Sequence, residues 1–566
     1  MKKEFFRSVF FIFLLSFLSV FDLFIQKGQP TTFDGRIHIT SIAQYSQALL
    51  AGNFPVVWLS NFANYGLPVG LFSQQLPLYV GGLINIVFHN PVSSYNVLLF
   101  LSIFTSGVLF YKFLRLYVSS WSALLGVTLV TLSPFRILDI YVRGDLPEIF
   151  ASMFLPLILL CIYYFIQKKS ALAYFGLILS LAGLVLSHPM VFVIFAFIFI
   201  PYFFFLLIQK TGKVSSLLQK ENLVYIALFS LAGVVGVGMT SYYLFPLALE
   251  TKYLFFVHEP THFDRFQILG WDNFFSPFWY RFTSAQFIKV GLVEMMGVIM
   301  FSLYAFWKLI QKKAWFGFGE FVLGISLVYI FLLTSLSYPL YEHTFLAEVQ
   351  FSWRMLAGFL FLPPILFALL VDTIKKKWIV VGFIVLICVI RFPQLYGKNY
   401  QEYPLSHYLF TPLNLYSANM NTVWMQNPED YPVKTTKAEI LEHGKGTIIS
   451  SSVQNNKRTY VIDAKEKLHM IDYTFYFPGW NVYIDNQPTP IEFQNYLYKG
   501  VITYYVPQGT HTVNIVFKDT LVRKVGKAFS LAFLVFFVLL VALRKKLFWV
   551  EDKKGKELLL FFRFGR

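Results

Sequence analysis

The sequence predicts an all-α polytopic membrane protein of about twelve transmembrane helices, with a small extracytoplasmic β-sandwich-like domain near its C-terminus. Three observations carry this expectation. Hydrophobic residues make up 57% of the chain and charged residues 14%, against about 25% charged in an ordinary soluble domain. About a dozen apolar runs are long enough to cross a hydrocarbon core. Close to the end, the pattern turns to short stretches rich in β-branched and aromatic residues.

The candidate spans fall near 5–25, 94–113, 121–138, 148–166, 171–187, 190–208, 223–244, 290–307, 317–336, 353–372, 378–392 and 525–543. The first follows Lys2, Lys3 and Arg7 in the manner of a signal peptide, but Phe24-Ile25-Gln26-Lys27 offers no small-residue cleavage site, so it reads as an uncleaved span. Aromatic residues reach 20%, which suits lipid-facing helices and interfacial belts.

A net charge of +17 would fit nucleic acid only if the basic residues shared one soluble face. They sit instead at the ends of apolar runs, in Lys168-Lys169, Lys312-Lys313, Lys375-Lys376-Lys377 and Arg544-Lys545-Lys546, so the charge is a topology signal and no nucleic-acid partner is expected. The run Leu76 to Phe88 is short and holds Gly81-Gly82 and Asn85. Counting it as a span would put every later basic cluster outside, so it reads as interfacial or re-entrant, with both termini cytoplasmic.

This topology leaves two large outer segments, 26–93 and 393–524, and divides the chain into a transmembrane part (1–392), a β-rich extracytoplasmic domain (393–524) and a last span with a basic tail (525–566). Within the second segment, Tyr473 to Ile484, Val501 to Val506 and Thr512 to Phe517 read as strands, with Asp485-Asn486-Gln487 and Pro507-Gln508-Gly509 as turns. The two cysteines, Cys161 and Cys388, both lie in apolar runs, so neither a disulfide framework nor a thiolate metal site is expected.

Charged groups near membrane depth are costly and usually serve a purpose. They gather on the outer side: Asp34, Arg36 and His38 after the first span, Arg136, Asp139, Arg143, Asp145 and Glu148 between the third and fourth, then His188, Glu250, His258, Glu259, Glu342, Glu348 and Arg354. Asp34 stands out as a general base toward an acceptor hydroxyl, although an Asp before Gly35 also serves as a turn residue or as the N-cap of a helix from Ile37 to Leu50. Asp34 and His38 are four apart and can share a helix face, yet two ligands do not make a metal site. Asp145 and Glu148 have capping-box spacing ahead of the fourth span. That reading leaves Arg143 unexplained, and Arg354 raises the same question: a guanidinium can hold a lipid-linked phosphate bidentately, or it can snorkel to headgroups.

Taken together, one span, a long loop with an early Asp, an interfacial piece holding Gln75-Leu-Pro-Leu-Tyr79, many further spans and an outer β-domain resemble the GT-C fold glycosyltransferases. Tyr141-Val-Arg-Gly-Asp-Leu-Pro-Glu148, Gln350-Phe-Ser-Trp-Arg354 and Phe477-Pro-Gly-Trp480 resemble, more narrowly, the bacterial 6-pyruvoyl-tetrahydropterin-synthase-related membrane proteins, close to the YfhO-like group. The resemblance implies an inverting transfer of a sugar from a polyprenyl-phosphate donor to a glycan, lipid or protein acceptor on the outer face of the cell membrane. Asp34 then matches the first-loop catalytic Asp, and Arg36, His38, Arg143, Asp145, Glu148, His188 and Arg354 are candidate substrate-binding residues. Pterin chemistry is not expected, since no compact His cluster fits zinc. The early Asp-Gly-Arg replaces the paired carboxylates of metal-dependent members, so no metal and no other cofactor are expected. The competing expectations are a transporter or flippase for lipid-linked saccharide, which more often shows internal repeats and charges in mid-span, and a non-catalytic assembly protein of the cell envelope.

Overall fold

A computed structural model of the chain describes residues 2–59, 62–255, 269–275, 289–311, 317–349, 351–410, 421–425, 431–442, 444–543, 549–551 and 557–559. His258, Glu259, Lys312, Lys313, Gln350 and the cluster 544–546 lie outside the described residues.

Every one of the twelve apolar runs becomes helical, but they are not twelve straight spans. Among the described residues, 8 helices are long and apolar enough to cross a membrane: Pro91–Leu114, Leu146–Lys168, Pro189–Lys210, Lys220–Gly238, Leu292–Ile310, Ser352–Asp372, Lys377–Gln394 and Leu521–Ala542. The number rises to 10 if two bent pairs count as spans, Ser120–Thr131 with Pro134–Arg143 at 41° and Phe318–Leu333 with Ser335–His343 at 80°. The breaks have local causes. Ser133 caps a new start by accepting from the Arg136 N–H at 3.1 Å, with Pro134 in the first turn. The two remaining runs fall short in different ways. Lys2–Val20 carries four charged side chains in its first turns and stops before Asp22, and Ala171–Ser187 has 17 residues.

Five of these helices frame the candidate site and are labelled α1 (Lys2–Val20), α4 (Pro91–Leu114), α6 (Leu146–Lys168), α7 (Ala171–Ser187) and, with the bent pair Ser120–Thr131 and Pro134–Arg143, α5. Between α1 and α4 the two longest helices are α2 (Gly35–Leu50) and α3 (Gln75–Phe88). At 14 residues, α3 is about 21 Å long, short of a hydrocarbon core about 30 Å thick. It lies against α2 instead. A side-chain carbon at Gly81 would come within 2.7 Å of Ile42, and one at Gly82 within 3.1 Å of Tyr45, so the glycine pair is what lets the two helices touch. The buried Asn85 amide donates to Ser46 Oγ at 2.7 Å across the same contact.

The β-rich part is two antiparallel sheets. Strands β2 (Gly446–Val453), β3 (Lys457–Ala464), β8 (Gly509–Phe517), β5 (Trp480–Ile484) and β6 (Gln487–Thr489) form one, in that spatial order. Strands β1 (Ala438–Ile440), β4 (Leu468–Phe475) and β7 (Val501–Val506) form the other. The sheets face each other through a buried polar contact, Tyr460 of β3 donating to Asp472 of β4 at 2.7 Å with Arg458 3.6 Å from the same carboxylate. The expected strand from Tyr473 to Ile484 is in fact two strands in different sheets. Tyr476-Phe477-Pro478-Gly479 breaks it, with Gly479 at φ +124° and so close to the Lys518 carbonyl that any side chain would collide.

The first loop packs under these sheets. Trp58 meets Trp480 edge-on at 5.2 Å, Tyr65 stacks on Phe475 at 4.7 Å, and Phe72 meets Phe477 at 5.9 Å. Below, Arg523 at the start of the last helix, Leu521–Ala542, bonds Glu250 at 2.8 Å and the Pro478 carbonyl at 2.7 Å. Arg523 therefore ties the last helix to the β-domain, and Glu250 anchors that helix start to the end of Ser241–Leu249; Glu342 and Glu348 are exposed.

Candidate functional site

The local sequence from the end of α5 into α6 builds the centre of the site. Asp139 to Arg143 forms a five-residue turn wound more loosely than an α-helix, which then breaks at Gly144 (φ +69°). Such widened turns are frequent at functional sites. Asp145 next caps α6, its Oδ1 accepting from the Glu148 N–H at 3.0 Å with Pro147 in the first turn. Only half of the expected capping box is used. The Glu148 side chain turns the other way, to Arg143.

Arg143 is the hub. Its Nη1 donates to Asp139 at 2.6 Å and to Glu148 at 2.9 Å, its Nη2 donates to Asp145 at 2.5 Å, and the guanidinium lies 4.8 Å from the ring centre of Trp353. The fork expected to face a lipid phosphate is thus filled by three carboxylates of its own neighbourhood. Removing it would strand buried charge, which is strongly destabilising. One acceptor remains over: Glu148 Oε1 is buried and has no partner.

The first loop is clasped to this turn by its backbone. The Phe33 N–H donates to the Val142 carbonyl at 3.0 Å and the Asp34 N–H to the Arg143 carbonyl at 2.7 Å. Asp34 occupies the N-cap position of α2, yet its carboxylate makes no capping bond; Thr32 Oγ1 accepts from the Gly35 N–H at 3.1 Å instead. The carboxylate is left within electrostatic reach of Asp145, Arg143 and Arg354 rather than spent on the helix. Burial, reinforced by the negative charge of Asp145, pushes the Asp34 carboxyl above its ordinary value, against the pull of His38, Arg143 and Arg354.

Two histidines and a second arginine complete the cluster. His38, one turn along α2, and His188, between α7 and Pro189, are set deep enough for burial to push both imidazoles down, His188 to about 4, with Asp145 opposing the shift in each. Burial thus favours the neutral imidazole in both. His188 Nδ1 accepts from the Val191 N–H at 3.4 Å, which places the proton on Nε2. Arg354 donates to the Val349 carbonyl at 3.0 Å and lies over Phe351 at 5.0 Å, within electrostatic reach of Asp34, Asp145, Glu148 and Arg143.

Seven of the eight residues singled out from sequence (Asp34, His38, Arg143, Asp145, Glu148, His188 and Arg354) therefore meet at one end of the helix bundle. Arg36 points elsewhere, bonding His407 and stacking on Tyr403 at 4.8 Å. Asp139 and Trp353 were not singled out. The signal for Asp139 was its i,i+4 spacing to Arg143; Trp353 had none beyond adjacency to Arg354.

Asp145, Glu148 and His188 bring ligand atoms within 4.8 Å of one another. The orphan Glu148 Oε1 fits a divalent cation. The His188 cap competes with it for Nδ1. Sequence spacing hid this trio, because His188 stands 40 residues beyond Glu148.

The profile of the 6-pyruvoyl-tetrahydropterin synthase related domain, described as a membrane protein, matches residues 72–398. The chain belongs to that family. The family region holds Arg143, Asp145, Glu148, His188 and Arg354 and starts beyond Asp34, Arg36 and His38. A relative described as an uncharacterized protein, from Lactococcus lactis subsp. cremoris (strain MG1363), is 24% identical over 322 residues, which is 54% of this chain and 50% of that protein. The match thus spans half the length of this curated relative. Two structures of an Archaeoglobus fulgidus oligosaccharyltransferase are also similar. The apo form covers 70% of this chain and 56% of that one at 13% identity and a TM-score of 0.40. The complex with Zn and sulfate covers 70% and 54% at 11% identity and a TM-score of 0.36.

Proposed function

We propose that this family member is a membrane glycosyltransferase that moves a sugar from a polyprenyl-phosphate donor to an acceptor hydroxyl on the outer face of the cell membrane. The observation that carries the reading is the Asp34 carboxylate, freed from its capping role and clasped by backbone bonds beside the Arg143 cluster. In the reaction, the acceptor oxygen attacks the anomeric carbon, the bond from that carbon to the phosphate oxygen breaks, and Asp34 takes the acceptor's proton. Arg354 faces the departing phosphate, whose loss needs mainly electrostatic stabilisation from groups already in place. Arg143, saturated by its own carboxylates, acts as a positioning residue that holds Asp145 and Glu148 and carries the Asp34 backbone. His188 offers its Nε2–H as a neutral donor. If a divalent cation binds, Asp145, Glu148 and His188 would hold it, and it would add positive charge toward the phosphate.

The test is a transfer assay with a panel of polyprenyl-phosphate sugars in liposomes. Asp34→Asn keeps the size of the side chain and cannot take a proton, so transfer should fall by about 10²- to 10⁴-fold while the protein still folds. Because burial raises the Asp34 carboxyl, wild-type transfer should drop away as pH falls through that raised value, and the variant should lack that limb. Near wild-type transfer by Asp34→Asn would sink the assignment. Movement of lipid-linked saccharide across the bilayer with no glycosidic bond formed would replace it with a flippase. A chelator arm separates two sources of charge: transfer lost with EDTA and restored by a divalent cation assigns the phosphate to the Asp145-Glu148-His188 trio, and transfer unchanged assigns it to Arg354.

A further inference from the structure

At the end of the bundle opposite the candidate site, a cavity of about 920 Å³ opens between α1, α4, α6 and α7. The same helices that lead into the candidate site at one end enclose this cavity at the other. Asp145 caps the start of α6, while Leu157, Leu160 and Tyr164 of its second half line the cavity. His188 follows the end of α7, while Ala173 near its start is a lining residue. Leu157 to Tyr164 stand 12 to 19 residues beyond Asp145, so the two places are about 18–28 Å apart along α6, within the thickness of a hydrocarbon core.

The cavity has two chemistries. Its walls are apolar, and its lips Phe5, Tyr164 and Leu172 are 40%, 41% and 70% exposed, so it opens sideways toward lipid. Its rim is charged. Lys112 and Arg115 project there from the end of α4, the first 5.4 Å from the Phe5 ring centre and the second steadied by a 2.5 Å bond to the Val118 carbonyl. Glu4 stands on the same rim, leaving one net positive charge from two cations and one carboxylate.

We infer that this cavity is a binding site for one anionic glycerophospholipid, its acyl chain between the helices and its singly charged phosphate on Lys112 and Arg115. The volume lies within the roughly 300–1,000 Å³ of built small-molecule sites. Basic pockets between membrane helices recognise anionic headgroups through such cations. A net charge of plus one on the rim complements the minus one of phosphatidylglycerol. The site does not depend on the transfer chemistry proposed above, since none of its residues belongs to the Asp34 cluster.

The experiment is native mass spectrometry of the full chain released from bilayers of equal phosphatidylglycerol and phosphatidylcholine. The wild type should retain phosphatidylglycerol with about tenfold preference, as two surface cations opposed by one carboxylate suggest. Lys112→Gln with Arg115→Gln should abolish the preference, and Ala173→Phe, which fills the wall, should abolish retention. Glu4→Gln should strengthen it. Lys168→Gln with Lys169→Gln removes an equal charge from the end of α6, outside the cavity lining, and should leave the preference intact. Equal retention of the two lipids by the wild type overturns the inference with no variant needed. So does a preference that survives both lining changes, or one lost equally in the Lys168/Lys169 control.

Discussion

Gly144 has no room for a side chain. A carbon there would lie 2.6 Å from Thr32 Oγ1 and 2.7 Å from the Gly35 nitrogen, and its φ of +69° is one that other residues occupy at a cost of about 1–2 kcal/mol. Gly144→Ala should therefore lower stability by at least that amount and should also lower transfer, because it pushes the first loop away from the turn that carries Arg143. Thermal unfolding in detergent and the liposome assay read the two effects; a variant normal in both would show that the clasp is not needed. Sequence alone pointed to Asp34, because an acidic group just past a span is expensive and stands out. It did not reveal that Arg143 is enclosed. An arginine on the outer side reads as a free phosphate fork, and only the fold shows that Asp139, at i−4, and Asp145 and Glu148 on the next helix all turn inward to it.

Among the elements, the hairpin β5–β6 shows how much a short motif can determine. Asp485 and Asn486 both have positive φ, as a two-residue turn between twisted strands requires. The Asp485 carboxylate then reaches across to β8, taking the Thr512 N–H at 2.9 Å and His511 Nδ1 at 2.6 Å. Hydrogen bonding between the two side chains raises His511 above its usual value and lowers Asp485 below its own. The sign for each follows. The histidine's share of stability is full below its unfolded value of about 6.5 and is lost as pH rises through the raised one, and the aspartate's is present above about 3.8 and is lost as pH falls through the lowered one. The pair thus stabilises most in mildly acidic solution. His511→Ala should flatten the profile there and leave the alkaline end unchanged; a uniform drop at every pH would argue for packing instead. The turn was legible in Asp485-Asn486-Gln487. The break at Phe477-Pro-Gly was not, because the residues on both sides are equally rich in strand formers and only the close approach of the Lys518 carbonyl separates them. Strands β2 and β3 escaped notice as well, since Ser450-Ser451-Ser452 and the polar stretch Gln454 to Arg458 leave only the short apolar runs Ile448-Ile449 and Tyr460-Val461-Ile462 on either side.

For the whole molecule, the prediction concerns which end of the bundle faces outward. The basic clusters predict that Leu50 and Tyr496, 69% and 82% exposed, lie outside and that Lys112 and Lys376 lie inside. With Cys161 and Cys388 replaced by Ser, single cysteines at the first two positions should react with an impermeant reagent on intact cells, and those at the other two only after permeabilisation. Leu50 and Lys112 labelling from the same side would make α3 a span after all. Span positions were legible because apolar length is a strong signal, whereas bends at Ser133 and Thr334 depend on small polar residues that a hydrophobic run hides.

The clasp between Asp34 and the Arg143 turn has a consequence in time. The site draws on both Asp34 and Arg354, which stand 320 positions apart, 354 less 34. At synthesis rates of about 5–20 residues per second, roughly 15–60 s pass between the emergence of the first and the last. During that interval Asp34 can already dock on Val142 and Arg143, but the second guanidinium is still missing. In the proposed reaction, a nascent chain stalled before Arg354 therefore holds Asp34 docked without the second guanidinium, so interrupted translation should yield fragments that are inert in transfer.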